Sequence, residues 1–190
     1  MKFKFLIQAA ALALCAVAAQ AAEPEYLRII DTDTQFVVKN RDGSETVIRR
    51  VMTPCAKNKG WLQPLVPVPG VHPVGEIEVL NAMNDRDAMV VDMREPQDRI
   101  NGTIPGSYHI VYTEVAARLN ELGCSKKDGK WDCGQAKKVF AFCNGPVCPQ
   151  SPTAIKAMVR DGFPADKIYY YRGGMLDWDA LGFPIVKGDF

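Results

Sequence analysis

The sequence predicts an α/β fold, in which helices flank a central, mostly parallel sheet and a small N-terminal β-hairpin extension precedes it. Short apolar segments alternate with segments of helical periodicity between residues 72 and 190, which is the pattern of βαβ units. An Asp-Gly turn separates two shorter strand-like segments before residue 50. Apolar residues make up 47% of the 190-residue chain, so a sizeable core can form.

Residues 1–21 are expected to be a cleaved signal peptide rather than part of the fold. Lys2 and Lys4 precede an alanine-rich apolar stretch, and Ala19-Gln20-Ala21 has the small residues of a cleavage site. The apolar stretch is shorter than the roughly 20 residues that a membrane span needs. We therefore expect export to a bacterial periplasm and no membrane attachment after cleavage, with an uncleaved anchor as the alternative.

Residues 22–71 are expected to form the N-terminal extension. Strands are predicted at 35–39 and 45–49, because an Asn-Arg-Asp-Gly-Ser sequence between them favours a hairpin turn. The prolines that follow are too frequent for regular structure and predict an extended connector packed on the main domain. Cys55 lies in this connector, and its role is left open.

Residues 72–190 are expected to form the main domain. Strands are predicted where continuous apolar runs are typical of burial on both faces, at 88–92, 108–110, 139–142 and 168–171. Helices are predicted where apolar residues recur at helical spacing, at 74–83, 115–122 and 152–160. A polar loop is expected after the strand at 88–92.

The overall charge excludes some classes of partner. Lys and Arg total 23 and Asp and Glu total 22, so the net charge is +1. Such a balance gives no reason to expect nucleic acid, anionic membranes or polyanionic substrates as partners.

The cysteines fall into different classes. Six are present and Cys15 lies in the expected signal peptide, so five remain, an odd number that leaves at least one thiol free or paired between chains. Cys124 and Cys133 flank an Asp-Gly turn and are predicted to form a structural disulfide, which an oxidising compartment preserves. The chain-entropy formula gives it about 2.7 kcal/mol as an upper estimate. A four-cysteine zinc site is disfavoured by the spacing, so no metal is expected.

The segment 143–151, Cys-Asn-Gly-Pro-Val-Cys-Pro-Gln-Ser, is the candidate site. It follows an apolar strand and opens a predicted helix, so backbone N–H groups and the helix N-terminus can converge on the Cys143 sulfur. Both favour the thiolate, which is the nucleophilic form. We predict that Cys143 is reactive; the alternative is a small buried residue, since free cysteine packs well.

Three motifs resemble, in the right order, the signatures of rhodanese-like domains over about residues 72–187. They are residues 90–96 (VVDMREP) with 101–107 (NGTIPGS), the cysteine loop itself, and residues 171–178 (YRGGMLDW) with 181–185 (LGFPI). One departure is Thr103, which stands where the family usually has histidine.

The resemblance implies sulfur transfer without a cofactor. Cys143 attacks the outer sulfur of a small donor, thiosulfate or a persulfide, and a thiol, cyanide or a partner protein takes that sulfur from the resulting Cys143 persulfide. The loop residues Asn144, Gly145 and Val147 are expected to form the cradle. Ser151 is expected either to donate its hydroxyl or, preferably, to cap the following helix.

The loop also departs from the family pattern at its sixth position, where Cys148 replaces a common arginine. Arg94 and Arg172 are the remaining candidates for binding an anionic donor, although each is equally suited to a structural ion pair. The proline six residues after Cys143 argues against phosphatase activity.

Cys148 also allows other functions. By attacking a persulfide or mixed disulfide on Cys143, it would close a Cys143–Cys148 bridge and make the protein a thiol–disulfide redox protein. A third hypothesis is a non-catalytic binding module that presents the N-terminal extension to a partner.

Overall fold

Strands and helices alternate along the main domain. The computed structural model describes residues 25–53 and 60–188; the expected signal peptide and Cys55 lie outside these ranges. The strands are β1 (Tyr26–Leu27), β2 (Gln35–Lys39), β3 (Glu45–Val51), β4 (His72–Pro73), β5 (Ala88–Asp92), β6 (Tyr108–His109), β7 (Ser125–Lys127), β8 (Lys130–Asp132), β9 (Lys138–Phe142) and β10 (Ile168–Tyr171). The helices are α1 (Glu76–Met83), α2 (Pro96–Asn101), α3 (Gln150–Arg160) and α4 (Gly174–Ala180), with 3₁₀ turns at Val115–Ala117, Leu119–Leu122 and Ala165–Lys167.

The central sheet has the strand order β4-β10-β9-β5-β6, and every neighbouring pair is parallel. The predicted α/β fold with a parallel central sheet is therefore confirmed. Because parallel strands end at the same edge of a sheet, the loops after β5, β9 and β10 meet there. The cysteine loop follows β9, so the fold places it at the centre of this edge.

Successive side chains of each strand point to opposite faces of the sheet and belong to two separate hydrophobic cores. Val91, Ala141 and Tyr170 share one core with α3. Phe142 and Tyr171 belong to the other core, which is covered by α1 and α4. The sheet is thus buried on both faces, as its continuous apolar strands predicted.

Two local predictions were wrong. The segment 115–122 is not one α-helix but two 3₁₀ turns, because Arg118 leaves the helical region at φ −114°, ψ 26°. The predicted apolar face is nevertheless correct, since Val115, Leu119 and Leu122 are fully buried. The loop expected after β5 contains the short helix α2, which begins with proline at its first turn and is too short to show a periodic pattern.

The N-terminal extension contains the predicted hairpin. Strands β2 and β3 pair antiparallel from Gln35 opposite Arg49 to Lys39 opposite Glu45, and β1 pairs with the other side of β3. Every residue of β2 is exposed, so this sheet has no core of its own. Within the described ranges, no helix is both long and apolar enough to cross a bilayer.

Candidate functional site

The cysteine loop is fixed at its start by the beginning of α4. The backbone N–H of Met175 donates to the Cys143 carbonyl at 3.0 Å, and that of Leu176 donates to the Asn144 carbonyl at 3.0 Å. Gly174 has φ +55°, and a Cβ there would lie 2.1 Å from the Cys143 carbonyl oxygen. Only glycine allows this approach, which explains the second glycine of the Gly-Gly pair in the third motif.

The Cys143 sulfur is buried inside its own loop, with 1% of the residue exposed. As a thiol it donates to the Cys148 carbonyl at 3.4 Å. Burial raises the pKa of Cys143, but donors around the thiolate lower it by more, from 9.0 to about 7. These donors are the Cys148 thiol, the Ser151 hydroxyl and the backbone N–H groups of Ser151 and Gly145.

Cys148 is also a free, buried thiol. Its pKa is raised, first because it donates a hydrogen bond to the Cys143 thiolate, then by burial and by the negative charge of that thiolate. Its sulfur also lies 3.5 Å from Gln150 Oε1. The two thiols are thus unequal, since Cys143 is the one that ionises near neutral pH and Cys148 stays protonated beside it.

Ser151 does not cap α3, so the preferred interpretation of this residue was wrong. The N-cap is Pro149, and Ser151 lies inside the first turn with its side chain fully buried. In the described part of the chain its Oγ has no hydrogen-bond partner. Buried hydroxyls are rarely left unpaired, so this one is available to donate to the Cys143 thiolate.

Tyr170 is a second buried hydroxyl near the loop. It pairs with Ala141 across the sheet, two residues before Cys143, so its ring shares the face on which Cys143 lies. Its Oη likewise has no partner among the described residues. Burial raises the pKa of Tyr170, and so does the negative charge of the Cys143 thiolate. Strand β10 holds three consecutive tyrosines, and the strand register shows that Tyr170 is the one on the Cys143 face.

Arg94 forms the structural ion pair rather than presenting a free charge. Its guanidinium binds both carboxylate oxygens of buried Asp92, at 2.9 and 2.7 Å. It also donates to the Gly102 carbonyl at 2.7 Å and to Asn144 Oδ1 at 3.1 Å. Thr103, at the family's histidine position, donates to Asp92 Oδ2 at 2.7 Å. The network therefore ties the first motif to the cysteine loop through Asn144.

Arg172 joins the N-terminal connector to the loop. It donates to the Gln63 carbonyl at 3.1 Å, and the Gln63 N–H donates to the Pro146 carbonyl at 2.8 Å. Gln63 is 5% exposed, so the connector is packed against the loop. No sequence pattern indicates this contact, because it depends on a main-chain hydrogen bond.

A cavity of about 610 Å³ lies beside the loop. Its walls are formed by Arg94, Asp98, Asn101, Gly102, Asn144, Gly145, Val147, Met175, Leu176, Asp179 and Ile185. The predicted loop residues Asn144, Gly145 and Val147 thus line this cavity. Cys143, Ser151 and Arg172 are not among the cavity walls.

Cys124 and Cys133 are joined by a disulfide across the β7–β8 hairpin. This pair lies away from the cavity walls. Among residues 25–53 and 60–188, no cluster of three His, Cys, Asp or Glu side chains is arranged to hold a metal ion.

Two relatives, one from Mycobacterium tuberculosis and one from Escherichia coli, are similar to this chain over 111 residues. An HTH-type transcriptional regulator of Mycobacterium tuberculosis is 30% identical over 111 residues, which are 58% of this chain and 43% of the regulator. The uncharacterized protein YibN of Escherichia coli is 27% identical over 111 residues, 58% of this chain and 69% of YibN. The chain thus spans less than half of the regulator's length.

Solved structures also resemble this chain. A rhodanese-related protein of Thermoplasma volcanium has a TM-score of 0.45 and 21% identity, covering 62% of this chain and 99% of its own. A thiosulfate sulfurtransferase of Pseudomonas aeruginosa has a TM-score of 0.47 and 21% identity, covering 61% of this chain and 20% of its own.

The family assignment rests on a match to a whole-domain profile. The Rhodanese-like domain profile matches residues 77–181, which is more than half of the chain and includes the first two motifs and the third as far as residue 181. The parallel sheet, with the cysteine loop between β9 and α3, lies within the matched residues apart from β4. The chain therefore belongs to the rhodanese-like domain family.

Proposed function

We propose that this protein is a sulfurtransferase that carries sulfane sulfur on Cys143 and works in the periplasm after export. The observation that carries the proposal is the Cys143 thiol, enclosed by hydrogen-bond donors that lower its pKa to about 7. The lowered pKa favours the thiolate, the form that attacks sulfur.

The reaction has two steps. The Cys143 thiolate attacks the outer sulfur of thiosulfate or of a persulfide R–S–SH, and the donor's S–S bond breaks. Sulfite leaves with the bonding electrons, or R–S⁻ leaves and takes the proton, and Cys143–S–S⁻ remains. An acceptor thiolate then attacks the outer sulfur, forms its own persulfide and releases the Cys143 thiolate. The N–H groups and the Ser151 hydroxyl are suited to stabilise the anion at each stage.

Intact mass spectrometry of the reduced protein, beginning at residue 22, tests the proposal. After incubation with thiosulfate or a persulfide donor, we expect a gain of about 32 Da, one sulfur atom. The gain should be absent in Cys143→Ser and present in Cys148→Ser, a matched removal of the neighbouring thiol. A gain that persists in Cys143→Ser, or no gain with any donor, contradicts the proposal.

A second candidate function is thiol–disulfide exchange through both cysteines. The observation that favours it is the Cys148 thiol, which lies in hydrogen-bonding range of the Cys143 sulfur. Cys148 would attack the inner sulfur of the Cys143 persulfide, releasing HS⁻ and leaving a Cys143–Cys148 disulfide. The same spectra separate the two candidates, because this route ends in a two-hydrogen deficit that Cys148→Ser abolishes.

Export is tested separately. We expect protein expressed with its first 21 residues to be recovered from the periplasm with Ala22 at its N-terminus. Recovery of the uncut chain from the cytoplasm or the membrane would contradict this part of the proposal.

A further inference from the structure

The cavity beside the cysteine loop is large for a small inorganic donor. Its volume of about 610 Å³ lies in the range of about 300–1,000 Å³ that is typical of sites for organic ligands. Asn144, Gly145 and Val147 form one wall, so a molecule bound here lies directly next to the loop that holds Cys143.

The charges of the cavity do not favour an anion. Arg94 is the only cationic side chain among the described residues that line it, and the Asp92 carboxylate binds that guanidinium at 2.7 Å. Two further carboxylates, Asp98 and Asp179, belong to the walls. Arg172 does not line the cavity. Its guanidinium donates to the Gln63 carbonyl. The carboxylates thus outnumber the cation, and the charge of the walls favours a cationic group in the cavity.

The remaining walls include an apolar surface. Val147 lies in the loop, Met175 and Leu176 lie in α4, and Ile185 follows that helix. Ile185 is 41% exposed, so its side chain can gain burial when a ligand binds. An apolar surface beside carboxylates complements a ligand that has both apolar and cationic groups.

We infer that the natural sulfur acceptor is a cysteine in a peptide segment with basic and apolar neighbours, and that Asp179 contributes to its selection. This inference rests on the proposed sulfurtransfer and names the substrate class for the same site. The peptide thiolate attacks the outer sulfur of Cys143–S–S⁻; the peptide leaves as its persulfide and Cys143 returns as the thiolate.

The test uses two acceptor peptides that differ only beside their cysteine, one with Lys and Leu and the other with Glu and Leu. Cys143 is first loaded by an uncharged persulfide donor, and the rate at which the 32 Da is lost is followed by mass spectrometry. At low ionic strength we expect the Lys peptide to react faster, by about two- to fivefold per charge. Added salt should reduce this preference because it screens the charges.

Asp179→Lys should reduce or reverse the peptide preference. Asp179 is exposed at the end of α4, so the substitution is compatible with folding. Asp166→Lys makes the same charge change at an exposed position outside the cavity walls and should keep the preference of the unmodified protein.

The outcomes separate this inference from the proposed function. If no donor loads Cys143, the sulfurtransferase proposal fails, and with it this inference. If Cys143 loads but the two peptides react equally, or Asp179→Lys behaves as Asp166→Lys does, only the inference about the acceptor is overturned.

Discussion

The two cysteine pairs of the main domain have opposite chemistry within one chain. Cys124 and Cys133 are nine residues apart and form a disulfide. Cys143 and Cys148 are five residues apart, yet both are free thiols. Both pairs are buried, so burial does not distinguish them.

The backbone around each pair explains the difference. Strands β7 and β8 run antiparallel between Cys124 and Cys133 and bring their Cα atoms to 4.2 Å, so the two sulfurs meet. The loop after β9 instead encloses one sulfur, and the backbone N–H groups of Gly145 and Ser151 lower the pKa of Cys143. The hairpin therefore brings two cysteines close enough to form a disulfide, whereas the strand-to-helix loop stabilises the thiolate of one cysteine.

Removing the ion pair behind the loop should have the largest effect on stability. Arg94→Met leaves Asp92, which is fully buried, with Arg99 at 3.9 Å as its remaining ion-pair partner. A buried charge that loses its partner costs about 3–5 kcal/mol, and urea unfolding measures this loss. Arg160→Met is the matched control, because the Arg160–Asp161 pair is exposed and should contribute less than about 1 kcal/mol. An equal loss of unfolding free energy in both variants would show that the loop does not depend on this network.

Removing the crosslink should have a smaller effect and should spare the chemistry. The double substitution Cys124→Ala with Cys133→Ala should lower the free energy of unfolding by about 2–3 kcal/mol, since the unfolded chain loses its closed loop. Sulfur loading at Cys143 should be unchanged below the unfolding transition. Loss of loading in the folded double variant would mean that the two pairs are coupled rather than independent.

The sequence was sufficient to predict the parallel sheet and the place of the cysteine loop between a strand and a helix. Both depend on local patterns, namely continuous apolar strands and a cysteine between a strand and a helix. It was also sufficient to identify Cys124 and Cys133 as a pair, because an Asp-Gly turn between them specifies a hairpin.

The surroundings of Cys143 could not be predicted in the same way. The preference for Ser151 as a cap failed because the helix begins two residues earlier than expected, at Gln150. The contact from Gln63 to Pro146 uses main-chain atoms that any residue supplies. The position of Tyr170 on the same face as Cys143 follows from the strand register, which the three consecutive tyrosines do not reveal. These features depend on tertiary contacts between distant segments, and the local sequence carries no signal for them.

The two cysteine pairs should also differ in their effect on the pH dependence of stability. The folded-state pKa of Cys143 is lowered from 9.0 to about 7, so the folded protein holds the thiolate more readily than the unfolded chain. This stabilisation is complete above about pH 9, decreases as the pH falls, and is absent below about pH 7. It amounts to about 2–3 kcal/mol. The disulfide-bonded pair does not titrate and contributes no such change.

The comparison of the unmodified protein with Cys143→Ala isolates this contribution. Their difference in unfolding free energy, measured with the Cys124–Cys133 bond intact, should grow between about pH 7 and pH 9. A difference that stays constant over this range would mean that the thiolate is not stabilised in the folded state.

The smallest effect concerns the Ser151 hydroxyl. It has no hydrogen-bond partner in the described structure while Cys143 is a thiol, but it helps to lower the pKa of that thiol. Ser151→Ala should raise the pKa of Cys143 by about one unit, because a hydrogen bond to a charged group is lost. The ultraviolet absorbance of the thiolate, measured against pH, follows this change.

Stability below pH 7 gives the complementary measurement. There Cys143 is protonated and the hydroxyl is unpaired, so Ser151→Ala should leave the unfolding free energy unchanged within about 0.5 kcal/mol. Thr153→Ala, on the exposed side of the same helix, should change neither quantity appreciably. A large loss of stability at low pH with an unchanged pKa would assign Ser151 a purely structural role. The proposed pattern, a shifted pKa at unchanged stability, is expected only if the hydroxyl acts on the sulfur anion.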